Sequence, residues 1–340
     1  MTTMRFFAAT GDAIARITCQ DERCDVRLSL QGSGAQCVAV DPHDPERVFA
    51  GTFDHGLCRS RDGGETWTGV GEGAQGIAET RVLSVAVSPS HRPSGVSAVF
   101  AGTEPSQLYR SEDDGSTWRP SPRLSDVPSA TTWAFPPRPW THHVRWIAPH
   151  HTDPGLLFVG IELGGVMRSR DGGETWEDRK PGSYHDSHAL LTHPLAAGRV
   201  YEAAGEGVAC SGDAGDSWRP VDAGKALGYT VGLAADPADP DLWYVSAATG
   251  PRAAYRLDGH AGAALYRKRG DLPWQPVGDE DGDLPHPMPY LAVALLTFPD
   301  RPNTLVAGLI NGEFHLSENA GDTWRKLDAQ LLHLLALSPA

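Results

Sequence analysis

The 340-residue sequence predicts an all-β fold assembled from repeated units. Three observations carry that expectation. An eight-residue phrase recurs five times. The 38 glycines and 27 prolines are spread along the whole length instead of gathering in a linker. No stretch approaches the roughly 18 apolar residues of a membrane helix. Hydrophobic residues make up 40% of the chain, with 10 tryptophans among them, which suffices for one large core or two ordinary ones.

The phrase is Ser60-Arg-Asp62-Gly-Gly64-Glu-Thr66-Trp67. It returns at Ser111–Trp118, Ser169–Trp176, Ser211–Trp218 (Ser217 for Thr) and Ser317–Trp324 (Asn319 for Asp). Upstream of each copy lies an apolar strand ending in a Pro-containing turn, then a strand ending in small residues. Val38–Pro42 with Val48–Gly51 matches Leu190–Pro194 with Val200–Ala204, and Leu233–Pro237 and Leu295–Pro299 fit the same frame. That frame makes Trp274 the end of a unit whose phrase has decayed. It also makes Phe6–Val26 a partial unit with Asp21 at the position of the phrase's aspartate. Units therefore end at Val26, Trp67, Trp118, Trp176, Trp218, Trp274 and Trp324.

Each unit runs about 41 to 58 residues and reads as four strands, A to D, the content of a propeller blade. The first unit lacks strand A, and Leu331–Pro339 matches the strand A pattern of Val82–Pro89. The expectation is one domain over residues 1–340, a seven-bladed β-propeller whose C-terminal segment, 325–340, closes the ring by pairing with the N-terminal half-blade. Closure removes the exposed sheet edges that an open array would leave.

The repeated phrases resemble Asp-boxes, or BNR repeats, of the propeller family that includes sialidases, some xyloglucanases, sortilin-type receptors and the photosystem II assembly factor. The resemblance covers nearly the whole chain and implies the fold. For function it implies a hydrolase, a receptor or an assembly factor, because the box occurs on all of them. Within the box each residue type has a turn-forming reason: Asp62 accepts loop amide hydrogens two or three residues on, Gly64 takes a positive φ, Ser60 and Thr66 tie the strand ends, and Trp67 buries its ring between blades. Asp62, Asp113, Asp171 and Asp213 are structural on this reading, since the C-to-D hairpins lie opposite the usual ligand mouth.

Lys and Arg number 29 against 43 Asp and Glu, a formal charge of −14. Without a basic cluster, nucleic acid and anionic membrane surfaces are excluded as partners, while a small-molecule or carbohydrate ligand and a protein partner stay open. Met1–Thr10 carries no extended apolar region with a cleavage signal, so the expected location is the cytoplasm, and a mature secreted form would look the same. Five cysteines imply no disulfide framework. Cys19 and Cys24 face each other if their hairpin forms, and a bridge is expected there only in an oxidising compartment.

Candidate site residues follow from sorting polar positions by face. Histidines 43, 91, 150, 151 and 193 fall in or beside A-to-B turns. At the opposite end, alignment on the turn prolines puts Gln36, Leu83, Arg145, His188, Val231, Val293 and His333 at one level. Two residues earlier come Gly34, Arg81, His143, Asp186, Tyr229, Leu291 and Leu331, and the B-to-C loops place Glu104, Glu162 and Glu206 at equivalent positions. Two insertions overhang that end: Arg119–Val144, with six prolines, Trp133, Phe135 and Trp140, and Ala247–Ala263, with Arg252, Tyr255, Asp258 and His260.

A glycosidase needs two carboxylates flanking the scissile bond. Glu162 and Glu206, with Asp186 between them in sequence, are the candidates for catalysis. Arg81, Arg145, His143, His188 and Tyr229 are candidates for ligand binding, with Trp133 and Trp140 for stacking. Sialidase chemistry is disfavoured, because Met4-Arg-Phe-Phe-Ala does not match the Phe/Tyr-Arg-Ile-Pro motif and Tyr201-Glu202 reads as core. The reading that results is a glycosyl-hydrolase-like propeller with a ligand at the channel mouth. The alternatives are a non-enzymatic protein-binding or assembly propeller, and a metal-dependent hydrolase or lyase with a divalent ion held by His143, His188 and Glu162.

Overall fold

The computed structural model describes residues 3–21, 23–73, 75–278 and 282–340. They form antiparallel meanders with only three short helical turns, Leu124–Asp126, Pro128–Thr132 and Pro251–Ala254. No helix among the described residues is long and apolar enough to cross a membrane.

The first strands of successive meanders are Ala35–Asp41, Val82–Val87, Val144–Pro149, Ser187–His193, Tyr229–Asp236, Ala292–Phe298 and Ala336–Pro339. Each adjoins the next, and the last adjoins the first, so the inner strands make a closed cycle. Five of the meanders are separate sheets, and the remaining eight strands form one sheet. In that sheet a parallel contact between Asp328 and Arg23 joins the strand Arg325–Gln330 to the N-terminal hairpin. The C-terminal strand pairs with the N-terminal one as expected, Phe6 opposite Pro339 and Ala9 opposite Ala336. It is shorter than the predicted Leu331–Pro339: the amides of Leu331 and Leu334 go instead to the carbonyls of Gly312 and Ile310. One meander has three strands where four were expected, its fourth reduced to the single bridge Arg168–Glu177.

Apolar alternation along these strands buries side chains between meanders rather than within one. Phe49 and Leu57 pack with Val82, Val99, Tyr109 and Trp118 of the next unit, and Tyr201 and Val208 pack with Trp243, Tyr266 and Trp274.

The five repeated turns share one hydrogen-bond pattern. In the first, Ser60 Oγ donates to Asp62 Oδ1 (2.7 Å) and accepts from Gly64 N (2.8 Å), while Asp62 accepts from the amide (2.8 Å) and hydroxyl (2.5 Å) of Thr66. The aspartates also accept the amide three residues on, as Asp171 does from Glu174 at 3.1 Å, so their reach extends from three residues to four. Ser111, Ser169, Ser211 and Ser317 open the same network, Asn319 serving in the last. Two consecutive residues are left-handed in each turn, for example Gly63 (φ 63°) and Gly64 (φ 84°), or Ala214 (φ 57°) and Gly215 (φ 82°).

The carbonyl of the first left-handed residue points at the preceding meander, and each time an arginine of that meander's third strand donates to it. Arg16 meets Gly63, Arg59 meets Asp114, Arg110 meets Gly172, Arg168 meets Ala214, and Arg267 meets Ala320. The same arginines reach a carboxylate of the turn, as Arg168 does Asp216 at 2.7 Å. The charged hydrogen bond to the carbonyl, of about 1.5–3 kcal/mol, outweighs these partly exposed ion pairs at about 0–1 kcal/mol. At the same end, in the turns between first and second strands, His43, His150 and His193 join neighbouring units through Nε2 to the carbonyls of Pro89, Ala197 and Asp236. His150 and His193 are buried.

Cys19 and Cys24 sit opposite each other on the hairpin Ile14–Gln20/Arg23–Ser29 and are disulfide-bonded, with Cα atoms 4.1 Å apart. Cys37, Cys58 and Cys210 are free thiols.

Candidate functional site

Six of the seven inner strands carry a β-bulge near one end. The extra residue is Gln36, Leu83, Arg145, His188 or Val293 in five of them, and Val231 with Gly232 face one residue in the sixth. A bulge re-aims the side chain of its extra residue. These are the residues that share one level in the sequence alignment, so that level has a backbone cause. Leu83, Val231 and Val293 are apolar; Gln36, Arg145 and His188 are not.

Around Arg145 and His188 the structure gathers a polar cluster. One ligand atom each from Glu162, Asp186 and His188 lies within 4.8 Å of the other two. His188 Nδ1 donates to the Thr230 carbonyl at 2.6 Å, which leaves Nε2 facing Asp186 Oδ2 at 3.5 Å and the Tyr229 hydroxyl at 3.4 Å. Glu162 Oε2 lies 3.1 Å from His143 Nε2 and 3.7 Å from Arg145 Nε. Burial pushes the Glu162 carboxyl up, but the His143 hydrogen bond and the Arg145 charge outweigh it and hold the group down at about 2. Arg145 Nε is buried without a hydrogen-bond partner. Burial and the neighbouring Tyr255 raise the Tyr229 phenol, which shares a hydrogen bond with Tyr255 of the second insertion.

A second group adjoins the first through His143. Glu104 is fully buried and takes Arg81 Nη1 at 3.1 Å, Arg138 Nε at 2.8 Å and a further Arg138 nitrogen, with His143 Nδ1 4.0 Å away. Arg81 and Arg138 both lie over the Phe53 ring. Here a carboxylate is fully spent on cations; at Glu162 it is not.

The structure brings together Glu162, Asp186, His143, His188, Arg145 and Tyr229 among the sequence candidates, and sets others apart. Glu206 is exposed and accepts the amides of His185 and Asp186, so it shapes the Asp186 loop instead of pairing with Glu162. Arg81 is bound to Glu104 and Asp54. Trp133 is 6% exposed, packs with Leu124, Val127 and Ile161, and donates Nε1 to Ser129 Oγ; it pins the insertion and has no face to stack a ligand. Trp140 is 77% exposed. In the expected metal set His143 is engaged with Glu162, and Asp186 stands in its place. Arg138 was missed: within a proline-rich loop nothing in the sequence singles it out. Glu202 is buried core, as its strand position implies.

No family model matches the chain. An oligoxyloglucan-reducing end-specific xyloglucanase of Emericella nidulans is 26% identical over 155 residues, covering 42% of this chain and 17% of that protein. A xyloglucanase of a Paenibacillus species is 25% identical over 262 residues, covering 63% and 24%. The chain thus spans about a fifth of the length of these curated relatives. An ancestral GH74 enzyme superposes with a TM-score of 0.64 at 19% identity over 86% of this chain and 38% of its own. YCF48 bound to D1 peptide gives 0.56 at 14% identity over 91% and 88%. The fold is a β-propeller of the kind these glycosyl-hydrolase-like and YCF48 structures share.

Proposed function

We propose that the chain is a seven-bladed Asp-box propeller that binds a carbohydrate or related polar ligand at the mouth where the inner strands bulge. The cycle of seven inner strands supports the blade number, and the common turn network supports the box. The observation that carries the ligand reading is the convergence of Glu162, Asp186, His188, Arg145 and Tyr229 in a part of the fold where the other bulge positions are mostly apolar. Ionised carboxylates, an arginine N–H without a partner and a phenol are groups that take sugar hydroxyls. The xyloglucanase relatives make xyloglucan oligosaccharides the first ligands to try.

Hydrolysis would leave Glu162 only the role of the ionised partner, because a carboxyl held near pH 2 cannot donate a proton at neutral pH. Calorimetric titration with xyloglucan oligosaccharides is the test. Glu162→Gln and His188→Ala are each expected to weaken binding by tenfold or more, and unchanged affinity in both removes the site assignment. Binding without release of reducing ends makes the mouth a binding site only. Trp140, exposed on the overhanging insertion, favours the second reading, a protein-binding propeller. Under it Trp140→Ala abolishes peptide capture while Glu162→Gln does not.

The Cys19–Cys24 bridge favours an oxidising compartment over the cytoplasm that the sequence suggests. Titration of the denatured, unreduced protein is expected to find three thiols, and five would return it to the cytoplasm.

A further inference from the structure

We infer that Glu162, Asp186 and His188 form a binding site for one zinc ion at the propeller mouth. His188 is the most deeply buried of the three. Its side chain is 1% exposed, and its Nδ1 hydrogen goes to the Thr230 carbonyl, which can only accept. In the neutral ring Nε2 therefore carries a lone pair, and that lone pair faces a carboxylate oxygen of Asp186 at 3.5 Å. Among the described residues the Tyr229 hydroxyl at 3.4 Å is the one hydrogen-bond donor beside that lone pair, and a cation placed between Nε2 and the carboxylates of Asp186 and Glu162 would engage all three acceptors together. A ring nitrogen anchored through its far N–H to a backbone carbonyl is also the usual arrangement of a histidine that ligates metal.

Glu162 is oriented in the same way. His143 Nε2 lies 3.1 Å from its Oε2, and Phe135 packs edge-on against the His143 ring at 4.7 Å, so the carboxylate is held by one partner while it faces the other two groups. The spacing fits. Two ligands about 2.0–2.1 Å from a tetrahedral ion lie about 3.3 Å apart, close to the observed Asp186–His188 separation, and the Glu162 oxygen lies within 4.8 Å of both. The backbone supplies the convergence: Asp186 and His188 flank Ser187 at the start of one inner strand, the bulge makes His188 the extra residue, and Glu162 follows the neighbouring strand Leu157–Ile161.

Charge sets both the sign and the strength. Two carboxylates face one guanidinium, Arg145, whose Nε stays 3.7 Å from Glu162 without hydrogen-bonding it, so a net negative charge remains for a dication. One imidazole with two carboxylates suits zinc better than calcium or magnesium, which take oxygen ligands in greater number. Three protein ligands leave a fourth position open for water or for a hydroxyl of a bound ligand. The inference shares the mouth with the carbohydrate reading but does not depend on it.

The test is calorimetric titration of the chelator-stripped protein with zinc chloride, without sugar, alongside thermal unfolding and an anomalous map at the zinc edge. Binding is expected to saturate at one equivalent, to raise the unfolding temperature and to give one peak between Asp186 and His188. Asp186→Asn, which keeps the side-chain shape, and His188→Ala are each expected to lose that equivalent, while His91→Ala on the opposite turn face retains it. Absence of heat and of a thermal shift, equal binding of magnesium, or a full equivalent retained in both Asp186→Asn and His188→Ala would overturn the assignment. Titrating sugar into the stripped protein keeps failure here separate from failure of the carbohydrate reading.

Discussion

The two ends of the propeller treat polar groups differently. At the turn end, five copies of one network pair serine, aspartate or asparagine, threonine or serine and a neighbour's arginine in the same geometry. At the mouth the units stop resembling each other. His143 Nδ1 and Arg145 Nε are buried without hydrogen-bond partners, and the carboxylates of Glu162 and Asp186 face histidines. Repetition marks what holds the ring; departure from the repeat, at a backbone position the repeat itself supplies, marks what the ring holds.

The comparison breaks if the turn end proves dispensable. Trp118, 3% exposed with Nε1 donating to the Gly115 carbonyl, is a large buried ring between two units. Trp118→Ala is expected to cost about 3–5 kcal/mol in urea unfolding, and a loss below about 1 kcal/mol would show that the turn tryptophans are decoration.

It sharpens with Glu202, buried just below the mouth. Its Oε2 accepts the Tyr184 amide at 3.0 Å and Ser187 adds a side-chain hydrogen bond, but burial outweighs both and pushes its pKa up to about 8. A carboxyl whose folded pKa lies above its unfolded one stays protonated in the native state. Its contribution is full below about pH 4.3 and falls as pH rises towards 8. Stability is expected to drop by up to about 5 kcal/mol over that window through this group, and Glu202→Gln is expected to flatten the profile. An unchanged slope in the variant would assign the pH dependence elsewhere.

The smallest effect tests the turn geometry itself. Ala214 is left-handed where the first and third turns use glycine. Ala214→Gly is expected to stabilise the chain by about 0.5–1 kcal/mol, since relief of the side-chain clash outweighs the added freedom of the unfolded chain. Destabilisation would mean that the Ala214 methyl packs usefully.

Much of this was legible in the sequence, for physical reasons that differ by region. Turn chemistry is local, so Ser60, Asp62 and Gly64 announce their roles by spacing alone. The arginines that lock the turns were invisible, because Arg16 and Gly63 lie 47 residues apart and neither is unusual where it stands. At the mouth, counting from the turn prolines found Arg145 and His188 because the bulge recurs at a fixed distance from the turn. Side-chain direction was not legible. Glu206 holds an equivalent loop position to Glu162 yet turns towards amides, and Trp133 and Trp140, seven residues apart in one loop, end up buried and exposed.

The pairing of Phe6 with Pro339 joins positions almost the full length of the chain apart. Every other sheet contact within a unit can form as that unit leaves the ribosome, but this one waits for the last strand to emerge, and it carries the highest loop-closure entropy in the molecule. Until then Phe7, Ile14 and Val48, which pack with Ala336 in one cluster, lack part of their cover. Until Ala336–Pro339 has emerged the nascent chain is thus a nearly finished ring with a sticky open seam, and chaperone demand should peak in that interval.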